Sequence, residues 1–236
     1  MNRASRRALL LGTDMSGYGM GESARQYTVQ QTYRTLMEQA AAGALLDRSG
    51  WLLQPSGDGE LAIILDEECE PRVVDAFVRH LNALLAQHNQ GLDEQRRLRL
   101  RVAIHHGMYS PAANGLAGKT VVELARMLDS QPLRTALDAD PVANLALMVS
   151  QRVYEDIVEY GLTSYAVDDF TQIDVRQKEF AQRAWLHIPR TSASEPASAS
   201  SPARDRQRDE SRQQVVTNHF SGPVRLDGGT IGISNH

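Results

Sequence analysis

Short apolar runs and longer amphipathic stretches alternate along residues 7–189 of the chain. Arg7 to Thr13 carries Ala8-Leu9-Leu10-Leu11 and stops at Gly12-Thr13-Asp14, which predicts a buried strand ending in a turn. Ser23 to Leu46 predicts a helix, with Tyr27, Leu36 and Ala40 among its apolar positions. Trp51 to Gln54 and Leu61 to Leu65 predict the two arms of a hairpin. Pro71 to His88 predicts a second helix: proline sits in its first turn, and Val74, Phe77, Val78, Leu81, Leu84 and Leu85 form one face. Leu98 to Ile104 alternates as a strand, and a loop with Pro111, Asn114, Gly115 and Gly118 leads to a helix over Val121 to Leu128. Leu145 to Val149 predicts a strand, Gln151 to Tyr160 a helix, and two final strands surround Val175 and Trp185. The order β-α-β-β-α-β is that of the ferredoxin-like unit, so the expected class is α+β with extra C-terminal strands and helices.

A break in this pattern falls near Pro189. Residues 190–214 are Ser, Ala, Pro, Arg, Asp, Glu and Gln with almost no large apolar side chain. Such a stretch cannot bury enough surface to offset its ordering entropy, which predicts a disordered linker between a domain over residues 1–189 and a β-prone tail over residues 215–236. The tail reads as two small strands around a turn and is too short to fold alone. The net charge of −4 over 236 residues is mixed in sign and gives no electrostatic case for a nucleic-acid partner. The single cysteine, Cys69, excludes an internal disulfide framework and fits a reducing cytoplasm; it reads as a loop thiol. Arg3, Arg6 and Arg7 precede the apolar run, but that run stops at Asp14, unlike a signal peptide, and no stretch is long enough to span a bilayer. The expectation is a cytoplasmic protein with no membrane contact.

The candidate chemistry lies in two turns. Asp14 leaves the end of the first strand, and Asp58 sits in Ser56-Gly57-Asp58-Gly59, the turn of the hairpin. Two carboxylates brought together from such turns can hold Mg²⁺ or Mn²⁺ against a triphosphate. Asp and Gly also dominate ordinary turns, so the two positions acquire meaning only if the fold unites them.

Five segments in order resemble the class III nucleotide cyclase domain, the fold of adenylate and guanylate cyclases. They are Asp14-Met15-Ser16-Gly17-Tyr18, Gly57-Asp58, Arg101 to Gly107, Gly118 to Leu128, and Ala146 to Ser150. The resemblance covers residues 7–189. It implies that Asp14 and Asp58 bind the metal, that the backbone of Met15, Ser16, Gly17 and Tyr18 meets the phosphates, and that Arg126 stabilises charge at the α-phosphate. It places a further cation, Arg176 or Lys178, near the β- and γ-phosphates. It also implies a nucleoside triphosphate substrate and a head-to-tail homodimer with two shared sites.

The chain departs from the family at the positions that read the substrate. Val122 stands where a transition-state Asn is expected, four residues before Arg126, and valine cannot hydrogen-bond a ribose. Gln54 stands where a purine-reading Lys is expected, and the matching Asp falls near Gly115, so Gln54 is left to read a base edge through its amide. Two functions therefore stay open: a nucleotidyl cyclase of altered base preference, and a cyclase-like module that binds nucleotide or dimerises without turnover. A diguanylate cyclase is a weaker third, on the distant echo in Ser56-Gly57-Asp58-Gly59-Glu60. The tail, with Asn218-His219-Phe220-Ser221-Gly222-Pro223-Val224 and then Gly228-Gly229-Thr230-Ile231, resembles bacterial amyloid-signalling motifs and implies an effector or receptor partner.

Overall fold

Two strands with unbroken apolar cores, Ala8 to Leu11 and Leu145 to Val149, need cover on both sides, and the fold supplies it by packing helices on both faces of one sheet. The structure is a computed structural model and describes residues 6–17, 23–112, 115–177 and 180–190. The elements are β1 (Arg6–Met15), α1 (Ser23–Gly43), β2 (Leu52–Ser56) and β3 (Gly59–Ile64). Next comes α2, built from Glu70–Arg72, a π-turn Val73–Phe77 and Val78–Asn89. Then follow β4 (Leu100–Ala112), β5 (Gly115–Ala117), α3 (Lys119–Leu128), α4 (Gln131–Ala139) and β6 (Leu145–Ser150). The last elements are α5 (Gln151–Val153 continued by a π-turn Tyr154–Glu159), β7 (Thr171–Gln177) and β8 (Phe180–His187). Among the described residues no helix is long and apolar enough to cross a membrane.

The sheet order is β2-β3-β1-β4-β6-β8-β7, with β5 pairing to β4. Its first four strands are the expected ferredoxin-like unit, antiparallel throughout; β4 and β6 pair in parallel, and β6, β8 and β7 extend the sheet. Alternation along β1 divides the core. Leu9, Leu11 and Met15 join α1, α2 and α5 on the first face. Ala8 and Leu10 join α3 and α4 on the second, together with Val175, Phe180 and Ala184 of the last hairpin.

The elements agree with the expected ones in order and differ at their ends. β1 continues to Met15 because β4 pairs with it from Arg6 to Met15. β4 runs to Ala112, well past Ile104: His105, His106 and Gly107 look like a strand end, yet they pair with Leu10, Leu9 and Ala8. α1 ends at Gly43, before Leu46, and Tyr27 is exposed on it where the sequence placed an apolar contact. β5 and α4 are elements the pattern did not predict: Pro111 and Gly115, expected in a loop, lie on β4 and β5, which pair with each other, and the nine residues of α4 bury only Leu133 and Leu137. The segments 190–214, beyond Arg190, and 215–236 lie outside the described residues.

Gly59 fixes the register that matters most. It pairs with Asp14 across β1 and β3, and a Cβ there would sit 1.9 Å from the Thr13 carbonyl oxygen. Gly59→Ala therefore forces the hairpin off β1. It is expected to cost about 1–3 kcal/mol, read as a lower urea midpoint.

Candidate active site

β1 delivers Asp14 to the second face of the sheet, in phase with Ala8 and Leu10. The β2–β3 turn delivers Asp58 to the same place, because the Met15 N–H donates to the Asp58 carbonyl at 2.7 Å and locks the turn against the strand end. The Gln30 side-chain amide holds the turn from α1, donating to the Gly57 carbonyl at 2.7 Å. Asp14 pairs with Gly59 and Met15 bonds to Asp58, so the two acids are neighbours at this strand end and the Asp58 side chain acts on Asp14. Arg101, opposite Asp14 in the β1–β4 register, donates from Nη2 to Asp14 Oδ2. Burial pushes the Asp14 pKa up to about 6; Arg101 opposes this, while the hydrogen bond and negative charge of Asp58 reinforce it.

A buried polar layer lies beneath, on the first face. Thr13 and Tyr33 share a hydrogen bond of 2.5 Å, and burial beside Glu60 pushes the Tyr33 hydroxyl well above its ordinary range. Arg48 is buried and clamps Glu60 with both ends of its fork, at 2.6 and 3.1 Å, while its Nε reaches Glu38 at 3.0 Å. Its guanidinium also lies over the Trp51 ring, 5.2 Å from the centroid. Glu60 follows Gly59 directly, so this pair anchors the base of the Asp58 turn.

The turn after Asp14 is partly in view. Met15 is buried, the Ser16 N–H donates to the Arg99 carbonyl at 2.9 Å, and Gly17 takes φ +76°. Tyr18 lies outside the described residues. A cavity of about 470 Å³ opens beside this turn, between Gln26, Val29 and Thr32 of α1 and the Leu98–Arg99 segment. Gln54 sits on β2 opposite Leu61, four residues before Asp58 in the same hairpin, and is partly buried.

The other expected residues lie on α3 and β7. Val122 is 48% exposed on α3. Arg126, one turn further along, places its guanidinium over the Phe180 ring of β8, 5.9 Å from the centroid. Arg176 is exposed on β7, opposite Ala181; Lys178 lies outside the described residues. Within one chain, then, Asp14 and Asp58 are neighbours, while Arg126 turns toward the last hairpin and Val122 faces solvent.

Sequence reading missed Arg101. Its signal was available only through pairing: once β1 and β4 are aligned antiparallel, Arg101 falls opposite Asp14. The two histidines of β4 are buried, and each meets a carboxylate. His105 Nε2 lies 3.3 Å from Glu123, and burial pushes its pKa down against that carboxylate. His106 Nε2 lies 2.7 Å from Glu70. Cys69 donates to Asp66 at 2.8 Å, and burial with that carboxylate pushes the thiol up, away from a nucleophilic thiolate.

No protein-family model and no curated protein matches the chain. Solved structures do. An adenylate/guanylate cyclase/hydrolase from Silicibacter pomeroyi is similar over 80% of this chain and 99% of its own, at 22% identity and TM-score 0.58. The guanylyl cyclase Cya2 covers 81% and 98% at 15% identity and TM-score 0.55. The adenylyl cyclase CyaB from P. aeruginosa covers 80% and 98% at 16% identity and TM-score 0.51. The fold is that of class III cyclase catalytic domains. In this cyclase fold, Asp14 and Asp58 offer a donor set of hard carboxylate oxygens, which suits Mg²⁺ or Mn²⁺. Among the described residues no group of three or more His, Cys, Asp or Glu side chains converges on one point.

Two outcomes follow from this geometry. Arg48→Met strands a buried Glu60 carboxylate and is expected to cost about 3–5 kcal/mol in chemical denaturation. The raised pKa of Asp14 contributes stability below its unfolded value of 3.8 that is lost as pH rises through about 6. Wild-type stability should therefore fall relative to Asp14→Asn by about 2 kcal/mol between those limits, measured by denaturation at a series of pH values.

Proposed function

We propose that this chain is a divergent nucleotidyl cyclase, converting a nucleoside triphosphate to a 3′,5′-cyclic nucleotide and pyrophosphate. One observation carries the reading: the Asp14 and Asp58 carboxyl groups meet at the end of β1, in a fold shared with solved adenylyl and guanylyl cyclases. Asp14 and Asp58 would hold Mg²⁺ or Mn²⁺. When bound, such an ion lowers the pKa of the 3′-hydroxyl and neutralises the leaving pyrophosphate. In the Met15–Tyr18 turn the Met15 and Ser16 N–H groups are taken by the Asp58 and Arg99 carbonyls, so Gly17 and Tyr18 would offer their N–H groups to the phosphates, and Gln54 would meet the base edge through its amide. Arg126 would stabilise charge at the α-phosphate, with Arg176 or Lys178 toward the β- and γ-phosphates.

The exposure of Val122 and the stacking of Arg126 on Phe180 suit a head-to-tail homodimer. One protomer supplies the acids and its partner supplies α3. The 215–236 tail extends the proposal to signalling, as a strand-pairing motif for an effector or receptor chain.

Val122 favours a second reading. An exposed valine offers no hydrogen bond at the place of the transition-state Asn, which suits a module that binds nucleotide without turning it over. Incubation with each of the four NTPs plus Mn²⁺, followed by mass spectrometry, separates the two. The cyclase reading expects one or more cyclic products, reduced at least about 100-fold in Asp14→Ala and in Asp58→Ala. Cyclic product that survives unchanged in Asp14→Ala would end it. No product from any NTP, with a nucleotide-dependent thermal shift retained, establishes the binding module instead.

A further inference from the structure

Arg101 bonds to the Asp14 side chain from a neighbouring strand, and it carries a positive charge into a place proposed for cations. It lies opposite Asp14 in the β1–β4 register, and its Nη2 donates to Asp14 Oδ2. Both side chains are largely buried, 15% and 16% exposed. Asp58 adds its own carboxylate from the adjoining turn, which the Met15 N–H and the Asp14–Gly59 pairing hold against the end of β1. Asp14 and Asp58 each carry −1 when ionised and Arg101 carries +1, so the three groups sum to −1.

A divalent ion added to that set leaves +1 with the guanidinium in place, and zero with the guanidinium withdrawn. The Asp14 oxygen that receives Arg101 is also one of the four carboxylate oxygens available to an ion. Burial weakens the screening of the cation–cation repulsion. Arg101 also leaves one buried donor unused. Its Nε is buried and has no hydrogen-bond partner, so the head of the side chain is held through Nη2.

We infer that Arg101 is a tethered cation that competes with a divalent metal ion for Asp14. The site would trade one counter-ion for another: the ion takes the Asp14 oxygen, and the guanidinium leaves it. Arg101 is thus a positioning residue that sets how much free metal the site needs. This inference rests on the metal reading of Asp14 and Asp58 given above.

Mn²⁺ binding to the full chain, without nucleotide, tests it by the EPR signal of free Mn²⁺. Arg101→Met keeps the length of the side chain and removes the charge. Its affinity for Mn²⁺ should be about tenfold or more tighter than wild type, with Arg101→Lys in between. A merely structural role predicts the opposite, a weaker affinity, because the support of Asp14 is lost. Unchanged or weakened binding in an Arg101→Met protein that melts like wild type overturns the inference and leaves the metal reading standing. Absence of Mn²⁺ binding in both wild type and Arg101→Met sinks the metal reading, and the inference with it. If Arg101→Met does not fold, the Arg side-chain Nε–H resonances of the wild type decide. Mg²⁺ saturation should shift the Arg101 signal and speed its exchange with solvent; a signal that stays in place overturns the proposal.

Discussion

The antiparallel pairing of β1 with β3 is the constraint on which the candidate site depends. It places Gly59 opposite Asp14 and lets the Met15 N–H close onto the Asp58 carbonyl. Two carboxylates 44 positions apart in the chain are thereby fixed at one strand end. Nothing larger than glycine fits at position 59, since the Thr13 carbonyl occupies the space of a Cβ. The buried Arg48–Glu60 clamp then ties the next residue of β3 into the base of the hairpin.

The sheet also divides labour between its faces. The first face, under α1 and α2, carries the larger apolar cluster together with the Thr13–Tyr33 and Arg48–Glu60 pairs. The second face bears the acids, Arg101 and α3. A charged site on one face of a strand is thus backed by a rigid layer on the other. The arrangement holds Asp14 at a raised pKa, because burial and Asp58 outweigh the help from Arg101. The cavity beside Met15 and Ser16 is separate from these carboxylates: Met15 alternates to the first face and Asp14 to the second.

Much of the fold was legible because its strands and helices have distinct apolar periods. The run Ala8-Leu9-Leu10-Leu11, the α2 stripe and the β6 run each mark one element. Legibility failed where a residue's role depends on a distant partner. His105-His106-Gly107 reads as a strand end, yet continues β4 because β1 lies alongside. α4 has two buried leucines in nine residues, a stripe too thin to declare itself without β6 and β7 behind it. Arg101 looks like one more alternating polar residue until β1 is laid against β4.

The sequence by itself determined the types and order of the elements other than β5 and α4, the two turns that bear Asp14 and Asp58, and the departures at Val122 and Gln54. These are local facts: periodicity, turn chemistry and residue identity need no partner in space. Tertiary structure alone decided that the two acids meet, that Arg101 neutralises one of them, and that Arg126 turns to Phe180. Each of those is a contact between segments tens of residues apart, set by strand register and by which face of the sheet a side chain takes. A one-residue change of register would reverse it without altering any local pattern.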